Sequence, residues 1–337
     1  MNYNTNEIIK LDANENPLGC SKKIYDNISN MNINLYPEVF CPRLRKTIAD
    51  KHGFKTEQIF CGNGSDNLIR VITQALVRPG EEIIIPEVAF PTYQSASNMI
   101  GAKSVLVPLK NHAIDLIATI EAITDNTKLI WLSNPHNPTG TIFNKKELEN
   151  ILDKIPSNVF FVMDEAYIEL ADDKDCPNSL DYIDKYPNMI TLRTFSKAYG
   201  LASLRVGYGI ADVELVKILY TAIGVYDVSH YAQECAILAI QDDKFIDDVR
   251  SLYREEKNKL YSEFKALNLE YIESYANFIM VYLGTKELHV ADELRKRNIF
   301  IKAGSHIGMK AWIRVSIGTP DENRIFIENL KDMLKSF

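Results

Sequence analysis

The stretch NVFFVMDEAY, residues 158–167, contains the pattern from which the fold of this chain is most directly predicted. The five residues before Asp164 are all apolar, without the alternation of a half-exposed strand, and such runs are typical of strands buried on both faces of a sheet. A carboxylate and a tyrosine, Asp164 and Tyr167, follow this run. Because ligands of doubly wound sheets bind at the carboxyl ends of strands, the stretch predicts a buried strand that leads into a functional loop.

Similar apolar runs occur on both sides of this stretch and alternate with patterns of helical period. The runs are EEIIIPE (81–87), KSVLVPL (103–109), KLIWLSNP (128–135), MITLRTFS (189–196) and RVGYGIA (205–211). Between them, residues 65–77 and 145–155 have apolar side chains three and four positions apart, the period of a helix. Strands that alternate with helices in this way indicate an α/β fold, a mostly parallel sheet covered by helices on both faces.

The chain changes character after about residue 230. The charged stretch 231–267 has the pattern of one or two long helices. ANFIMVYLG (276–284), VADELRKRN (290–298), IFIK (299–302) and WIRVSIG (312–318) then follow as strand, helix, strand and strand. With 337 residues, the chain is long enough for two domains, and we interpret this second part as a smaller α+β domain.

The bulk properties of the chain argue against several classes of function. A net charge of -7 and scattered basic residues provide no surface for nucleic acid. The five cysteines form no C-x-x-C pair or Cys/His cluster, so we expect reduced thiols and no structural metal site. The N-terminus lacks the apolar core of a signal peptide, and no window has the roughly 18 apolar residues of a membrane span. These features predict a cytoplasmic protein.

Four polar motifs lie at the ends of predicted strands or at the start of a predicted helix. SNPHNPTG (133–140), DEAY (164–167) and TFSKAYG (194–200) end strands, and CGNGSDN (61–67) opens a helix. Since ligands bind where the carboxyl ends of parallel strands meet, we expect the four motifs to converge on one site.

The motifs contain groups that suit a phosphorylated pyridine cofactor. Gly62 and Gly64 allow the backbone to approach a ligand closely, and the helix that follows offers free N–H groups to a dianion. Thr194, Ser196 and Arg205 would add two hydroxyls and a cation for the same phosphate. Alone, a G-x-G pattern before a helix is more often a simple turn.

Asp164 needs a partner, because a carboxylate at the end of a buried strand must be paired or hydrogen-bonded. One possibility is a structural ion pair. The other is that it keeps a pyridine nitrogen protonated, so that the ring acts as an electron sink. Asn137 and Tyr167 have donors for the phenolic oxygen of such a cofactor, although loop capping and packing would also explain them. Lys197 is a candidate for an amine that forms an imine.

The segment RTFSKAYGLASLRVGY, residues 193–208, resembles the lysine signature of the fold-type I pyridoxal-phosphate aminotransferases, and within them the histidinol-phosphate aminotransferase branch. Further segments are similar to the same branch in the same order: LDANENPLG (11–19), LYP (35–37), PTY (91–93), NPHNPTG (134–140), DEAYIE (164–169), ANF (276–278) and IRVSIGTPDEN (313–323). The resemblance thus covers residues 11–325, nearly the whole chain.

This resemblance implies an α/β fold of fold-type I, with a mostly parallel seven-stranded sheet in a large domain and a smaller α+β domain. The large, cofactor-binding domain would span residues 31–236. Residues 1–30 with 237–337 would form the small domain and an N-terminal arm. The resemblance also implies a homodimer with shared active sites, an amino donor such as glutamate and a small phosphorylated keto acceptor.

The same resemblance implies a role for individual residues. Lys197 would carry pyridoxal 5'-phosphate as a Schiff base and move the proton during catalysis. The other cofactor-binding residues would be Asp164 at the ring nitrogen, Asn137 and Tyr167 at the phenolic oxygen, Tyr93 on the ring face, and Ser65, Asp66, Thr194, Ser196 and Arg205 at the phosphate, with Tyr36 reaching the phosphate of the neighbouring subunit. The substrate-binding residues would be Arg314, Lys302 and Asn14.

Three departures from the family pattern leave the substrate open. Only ten residues precede Leu11, with Tyr3 as the sole aromatic among them, where the family has a longer arm that closes over the substrate. Lys302 stands where the family has a second phosphate-binding arginine. Residues 225–229 read VYDVS in place of the family's Pro-Tyr-Asn-x-Asn.

Histidinol phosphate is the default substrate, and a trimmed pocket would accept a smaller ketone such as dihydroxyacetone phosphate. Decarboxylation of a phosphorylated amino acid and transamination of aromatic keto acids are alternatives on the same fold. A ligand-sensing domain of a transcription regulator would need a fused helix-turn-helix domain, for which the ten residues before Leu11 leave no room.

Overall fold

The computed structural model describes residues 8–28 and 34–335; Tyr3 and the first part of the expected N-terminal arm lie outside the described residues. The strands are β1 (Ile9–Leu11), β2 (Ile59–Gly62), β3 (Glu82–Pro86), β4 (Lys103–Val107), β5 (Leu109–Lys110), β6 (Ala113–Ile114), β7 (Thr127–Ser133), β8 (Phe160–Asp164), β9 (Met189–Thr194), β10 (Gly207–Ala211), β11 (Tyr271–Ile272), β12 (Phe278–Tyr282), β13 (Ile299–Ala303) and β14 (Trp312–Ser316). The helices are α1 (Lys22–Tyr25), α2 (Pro42–His52), α3 (Gly64–Leu76), α4 (Thr92–Met99), α5 (Leu116–Glu121), α6 (Lys145–Leu152), α7 (Val213–Leu219), α8 (His230–Ile240), α9 (Asp243–Ala266), α10 (Glu287–Lys296) and α11 (Pro320–Leu334). No described helix combines the length and the apolar character that crossing a membrane requires.

The larger sheet has seven strands in the spatial order β2-β10-β9-β8-β7-β3-β4. Neighbouring strands are parallel, except that β10 is antiparallel to both β2 and β9. The amino-terminal end of β10 therefore lies at the edge where the other strands have their carboxyl ends. This reversal places residues just before β10 beside residues just after β2 and β9. The expected mostly parallel α/β architecture is confirmed.

All six apolar runs that were predicted as strands lie in this sheet, as β3, β4 and β7 to β10. The prediction lacks β2, because its four residues, IFCG, are few and run directly into the glycine motif. The expected burial on both faces is wrong for β4, which is an edge strand with only its last residue, Val107, buried. Helices form at both predicted positions, and α6 ends three residues before the predicted end.

Helices cover both faces of the larger sheet and create two apolar cores. Successive residues of β8 show the division, since Phe161 and Met163 pack in one core and Val162 in the other. The first core includes residues of α2, α6, α8 and α9, and the second includes residues of α3, α4 and α7. This arrangement leaves the edge of the sheet free for the loops that follow the strands.

The smaller sheet has the order β1-β13-β14-β12-β11. The predicted succession of strand, helix, strand and strand is confirmed as β12, α10, β13 and β14, and the charged stretch before it forms two helices, α8 and α9. β1 pairs in parallel with β13, so the N-terminal segment belongs to the sheet of the C-terminal part. The predicted boundary between residues 236 and 237 falls inside α8, and the division into domains stays a prediction.

Candidate active site

A cavity of about 480 Å³ lies where loops after β2, β3, β7, β8 and β9 meet the smaller sheet. Every predicted site residue except Tyr36 lines it: Asn14, Ser65, Asp66, Tyr93, Asn137, Asp164, Tyr167, Thr194, Ser196, Lys197, Arg205, Lys302 and Arg314. The four polar motifs converge as expected, because parallel strands bring their carboxyl ends to one edge. Arg205 joins them because it lies two residues before the reversed strand β10.

Lys197 lies in the loop after β9, and its Nζ donates a hydrogen bond to the carbonyl oxygen of Ala13 at 3.0 Å. Burial and the nearby cations Arg314 and Arg205 lower the pKa of Lys197 to about 8, while Glu15 opposes this effect. About a tenth of the amine is therefore uncharged at pH 7, far more than for an ordinary lysine, and the uncharged amine is the form that attacks a carbonyl carbon.

Asp164 is buried at the end of β8. Its Oδ2 accepts a hydrogen bond from the Tyr93 hydroxyl at 2.5 Å, and its Oδ1 accepts one from the backbone nitrogen of Ala166 at 3.2 Å. Burial raises the pKa of Asp164 to about 6, against the effect of these two hydrogen bonds. No lysine or arginine in residues 8–28 and 34–335 forms an ion pair with it, so a structural ion pair does not explain this carboxylate. It remains able to pair with a cationic group of a ligand.

Tyr93 lies between Asp164 and Trp131. Its ring stacks on the Trp131 ring, with centroids 4.7 Å apart and an angle of 11° between the planes. Trp131 thus covers one face of the Tyr93 ring, and only the opposite face can meet the cofactor ring. The predicted stacking on the cofactor stays a prediction.

The turn before α3 and the Arg205 side chain form a close-fitting cradle. Gly64 has a φ of +77°, and a Cβ at this position would lie 2.6 Å from Nη2 of Arg205. A Cβ at Gly207 would lie 2.5 Å from the backbone nitrogen of Ser65. Glycine is therefore required at both positions. The free N–H groups at the start of α3 lie beside a guanidinium, an arrangement that suits a dianion such as phosphate.

The remaining predicted phosphate residues also lie at this cradle. Arg205 donates through Nη1 to the carbonyl of Ala202 at 2.9 Å and to the Ser196 hydroxyl at 3.4 Å, and Thr194 Oγ1 accepts from the Ser196 backbone nitrogen at 3.2 Å. Asp66 differs from the others, because its carboxylate already accepts a hydrogen bond from Thr92 and pairs with Arg70. A negative side chain repels phosphate, so only the backbone of Asp66 suits the predicted role.

Asn137 and Tyr167 both keep free donors. Asn137 accepts a hydrogen bond from Nη1 of Arg314 at 2.8 Å through Oδ1, so its amide N–H groups remain available. The Tyr167 hydroxyl accepts from Nδ2 of Asn14 at 3.1 Å, so its own O–H remains available. Two donors that are held in place by neighbours suit an oxyanion such as a phenolate. The Asn14 side chain also accepts a hydrogen bond from the Ser316 hydroxyl at 2.9 Å.

Arg314 and Lys302 provide two cations on the side of the smaller sheet. They lie directly opposite each other on β14 and β13, so their side chains are on the same face. Arg314 is buried and donates through Nη2 to the carbonyl of Asp12 at 2.9 Å, while its Nε has no partner. Burial lowers the pKa of Arg314. Lys302 forms no hydrogen bond or ion pair with any described residue, and the two cations together suit an anionic group of a substrate.

Tyr36 lies away from the cavity, alone among the predicted site residues. It is 81% exposed, and its ring stacks on Tyr226 with centroids 4.7 Å apart. A side chain that contributes to the site of a neighbouring subunit requires such an exposed position. Its predicted role therefore depends on a second chain.

Several cavity residues are missing from the sequence-based prediction, among them Asp12, Ala13, Glu15, Phe90 and Ser133. Ser133 is hydrogen-bonded at 2.7 Å to His136, whose Nε2 lies 2.8 Å from the carbonyl oxygen of Val88. Burial lowers the pKa of His136 to about 4, so this histidine is neutral and links two loops. Both residues lie within the motif SNPHNPTG, so the sequence could have indicated them as site residues.

The donors and acceptors of the cavity fit pyridoxal 5'-phosphate group by group. Lys197 offers an amine of lowered pKa for the aldehyde, and Asp164 offers a buried carboxylate without a cation for the ring nitrogen. Asn137 and Tyr167 offer free donors for the phenolic oxygen. The cradle at Gly64, which a Cβ would fill, offers the phosphate site.

The profile of the family described as "Aminotransferase class I and II" matches residues 6–330. Histidinol-phosphate aminotransferase 2 of Carboxydothermus hydrogenoformans is 41% identical, over 97% of this chain and 91% of that protein. Histidinol-phosphate aminotransferase of Caldicellulosiruptor saccharolyticus is 37% identical, over 97% of this chain and 92% of that protein.

Solved structures have the same fold. The crystal structure of histidinol-phosphate aminotransferase from Sinorhizobium meliloti, in complex with pyridoxal-5'-phosphate, superposes with a TM-score of 0.91. The match covers 98% of this chain and 91% of that one at 24% identity. At this identity, the likeness establishes the fold.

Proposed function

The chain belongs to the family of class I and II aminotransferases, and on this premise we propose a transamination reaction. An amino group moves between an amino acid such as glutamate and a small phosphorylated ketone. Histidinol phosphate is the amine that corresponds to this ketone. The observation that carries the proposal is the pair of cations, Arg314 and Lys302, opposite each other beside the lysine of lowered pKa, Lys197. An anionic substrate group can bind there while the amine-bearing carbon lies near Nζ.

Pyridoxal 5'-phosphate, the cofactor of this enzyme, supplies an electron sink for the carbon that carries the amine. Lys197 would hold the cofactor through Nζ in the resting enzyme, and once the substrate amine has displaced it, the freed amine would move a proton to and from the reacting carbon. Asp164 would keep a proton on the ring nitrogen, and the hydrogen bond from Tyr93 fixes the orientation of this carboxylate. Asn137 and Tyr167 would donate to the phenolic oxygen, and the cradle of Gly64 and Arg205 would hold the phosphate.

Arg314 links the cofactor to the substrate. Its Nη1 donates to Asn137, while Nε and the remaining N–H groups are free for an anion. Both half-reactions use this arginine, because the carboxylate of the amino donor and the phosphate of the second substrate bind in turn. A planar guanidinium suits both anions, since it donates two parallel hydrogen bonds.

The experiment that tests the proposal is a panel of amines and ketones. Histidinol phosphate, the amine of dihydroxyacetone phosphate, an aromatic amino acid and threonine phosphate are each offered with 2-oxoglutarate, and glutamate and carbon dioxide are measured. We expect glutamate from histidinol phosphate with the highest kcat/KM and no carbon dioxide. The proposal would be contradicted if the enzyme converts neither histidinol phosphate nor the amine of dihydroxyacetone phosphate, and release of carbon dioxide would identify a decarboxylase.

Replacement of Lys302 with alanine is expected to raise KM for the phosphorylated substrate on the order of tenfold, the effect of losing one hydrogen bond to a charged group. KM for glutamate should change much less, and Lys302→Arg should lower KM for the phosphorylated substrate because arginine binds phosphate in a bidentate way. Steady-state kinetics of both half-reactions measure the difference. Lys310→Ala is the matched control, since Lys310 is exposed and does not line the cavity. Equal changes in both KM values would exclude a phosphate-specific role.

We further propose a cytoplasmic homodimer in which Tyr36 contacts the cofactor phosphate of the second subunit. Support comes from the exposed pair Tyr36 and Tyr226 and from the exposed apolar residues Leu35, Val39 and Val225 nearby in the sequence. Apolar side chains in such number are unusual on a surface without a partner. Analytical ultracentrifugation is expected to give twice the mass of one chain, and a fully active monomer would contradict the shared site.

A further inference from the structure

Asp12, directly after β1, carries a carboxylate that accepts no hydrogen bond from any described residue, although the charges of Arg314 and Lys10 attract it. It lines the catalytic cavity, and its Oδ1 is buried without a hydrogen bond. Within residues 8–28 and 34–335, no group donates to this carboxylate; Arg314 binds the backbone carbonyl of Asp12 instead. A buried carboxylate oxygen without a donor costs free energy, so a ligand that brings the donor would gain from it.

The same cavity contains an unmatched donor, Nε of Arg314. Two buried polar atoms of opposite kind therefore remain without partners on one side of the cavity. They belong to residues that are already in contact, through the 2.9 Å hydrogen bond from Nη2 of Arg314 to the carbonyl of Asp12. A ligand that satisfies both must present an anionic group and, a short distance away, an N–H or O–H group.

A contact with the backbone places the amine of Lys197 next to the segment that contains Asp12. Lys197 Nζ donates to the carbonyl of Ala13, the residue next to Asp12, at 3.0 Å. A substrate with its amine near Lys197 and its phosphate at Arg314 thus has its remaining substituent within reach of the residues that follow β1. In histidinol phosphate, that substituent is an imidazole with an N–H group.

We propose that Asp12 selects the substrate by accepting a hydrogen bond from the imidazole N–H of histidinol phosphate and of its ketone. This inference rests on the proposed function and adds the residue that recognises the ring. Charge-assisted hydrogen bonds contribute more than neutral ones, and an apolar ring placed against the carboxylate would leave it without a donor. Asp12 therefore favours imidazole over a phenyl ring of similar size.

The test compares histidinol phosphate with phenylalaninol phosphate, which has a phenyl ring in place of the imidazole. In the holoenzyme, Asp12→Ala is expected to lower kcat/KM for histidinol phosphate on the order of 10- to 100-fold, the effect of losing a hydrogen bond to a charged group. With phenylalaninol phosphate, kcat/KM should stay the same or rise. Calorimetric titration of Lys197→Ala with histidinol phosphate, with and without Asp12→Ala, should show the same loss in affinity without catalysis.

The midpoint of thermal unfolding provides an independent readout. Because Asp12→Ala removes a buried carboxylate oxygen that accepts no hydrogen bond, Tm should be unchanged or higher, whereas the loss of a structural residue would lower it. Glu15→Ala is the matched control: Glu15 lines the same cavity, but its carboxylate pairs with Lys10 at 2.9 Å. Whatever this variant does to the overall rate, its preference between the two amines should stay the same.

The outcomes separate the two proposals. If the unaltered enzyme does not convert histidinol phosphate, the proposed function and the role of Asp12 are both overturned. If it does convert histidinol phosphate and Asp12→Ala changes both amines equally or not at all, the role of Asp12 alone is overturned. The same holds if Glu15→Ala shifts the preference as strongly as Asp12→Ala.

Discussion

Replacement of Lys197 with alanine is expected to abolish transamination, with kcat reduced at least on the order of 10⁴-fold, because the variant loses the attachment of the cofactor and the group that transfers the proton. The cavity has a second amine, Lys302, but it lies on β13 with Arg314 directly opposite. Burial lowers the pKa of Lys197 to about 8, which favours the uncharged amine that attacks the cofactor. Reduction of the holoenzyme with borohydride should fix the cofactor to the peptide that contains Lys197. Mass spectrometry and steady-state rates measure both effects.

Lys257→Ala is the matched control for this prediction. Burial lowers the pKa of Lys257 to about 8 as well, but its Nζ donates to the carbonyl of Ser274 and it lines a separate cavity. We expect this variant to keep its activity and its labelling at Lys197, which would show that a lowered pKa alone does not make a catalytic lysine. Turnover that survives in Lys197→Ala, or labelling of another lysine in the unaltered enzyme, would contradict the assignment.

Much of the fold follows from the period of apolar residues. Strands buried on both faces, such as β7 and β8, are visible as continuous apolar runs, because no position along them needs to be polar. The edge strand β4 has the same apolar appearance but lies half in solvent, since a run of residues does not reveal how many neighbours a strand has. β1 was not predicted, because its three residues form a strand only where β13 lies beside them, and a sequence pattern does not reveal this neighbour.

Site residues could be predicted from the sequence where they lie within a motif at the end of a strand. Asp164 ends β8, Lys197 comes three residues after β9, and Arg205 comes two residues before β10. All three strands belong to one sheet, so the topology alone brings these residues together. Contacts between distant segments could not be predicted in the same way. The hydrogen bond from Arg314 to Asn137 and the unpartnered oxygen of Asp12 depend on how the smaller sheet sits against the loops of the larger one.

Replacement of Asp164 with asparagine is expected to lower kcat on the order of 10²- to 10⁴-fold, corresponding to the roughly 3–5 kcal/mol that breaking a buried charge pair costs. Asparagine keeps the shape and can still accept a hydrogen bond from Tyr93, but it carries no negative charge to hold a proton on the ring nitrogen. The cofactor should remain bound, because Lys197 and the cradle of Gly64 and Arg205 are intact. Single-turnover rates and the stoichiometry of bound cofactor measure the two effects separately.

Glu169→Gln is the matched control for Asp164→Asn. It tests whether the loss of any buried carboxylate near β8 lowers kcat or only the loss of Asp164. Glu169 is also buried, and burial raises its pKa to about 7, but it lines a different cavity. The loss of the Glu169 charge should leave kcat nearly unchanged, since Glu169 does not line the catalytic cavity. A variant Asp164→Asn with kcat within tenfold of the unaltered enzyme would mean that this carboxylate is not the counterion of the ring. A fall in kcat of equal size in Glu169→Gln would mean that any buried negative charge near β8 sustains the rate. In that case, the effect of Asp164→Asn could not be assigned to contact with the cofactor ring.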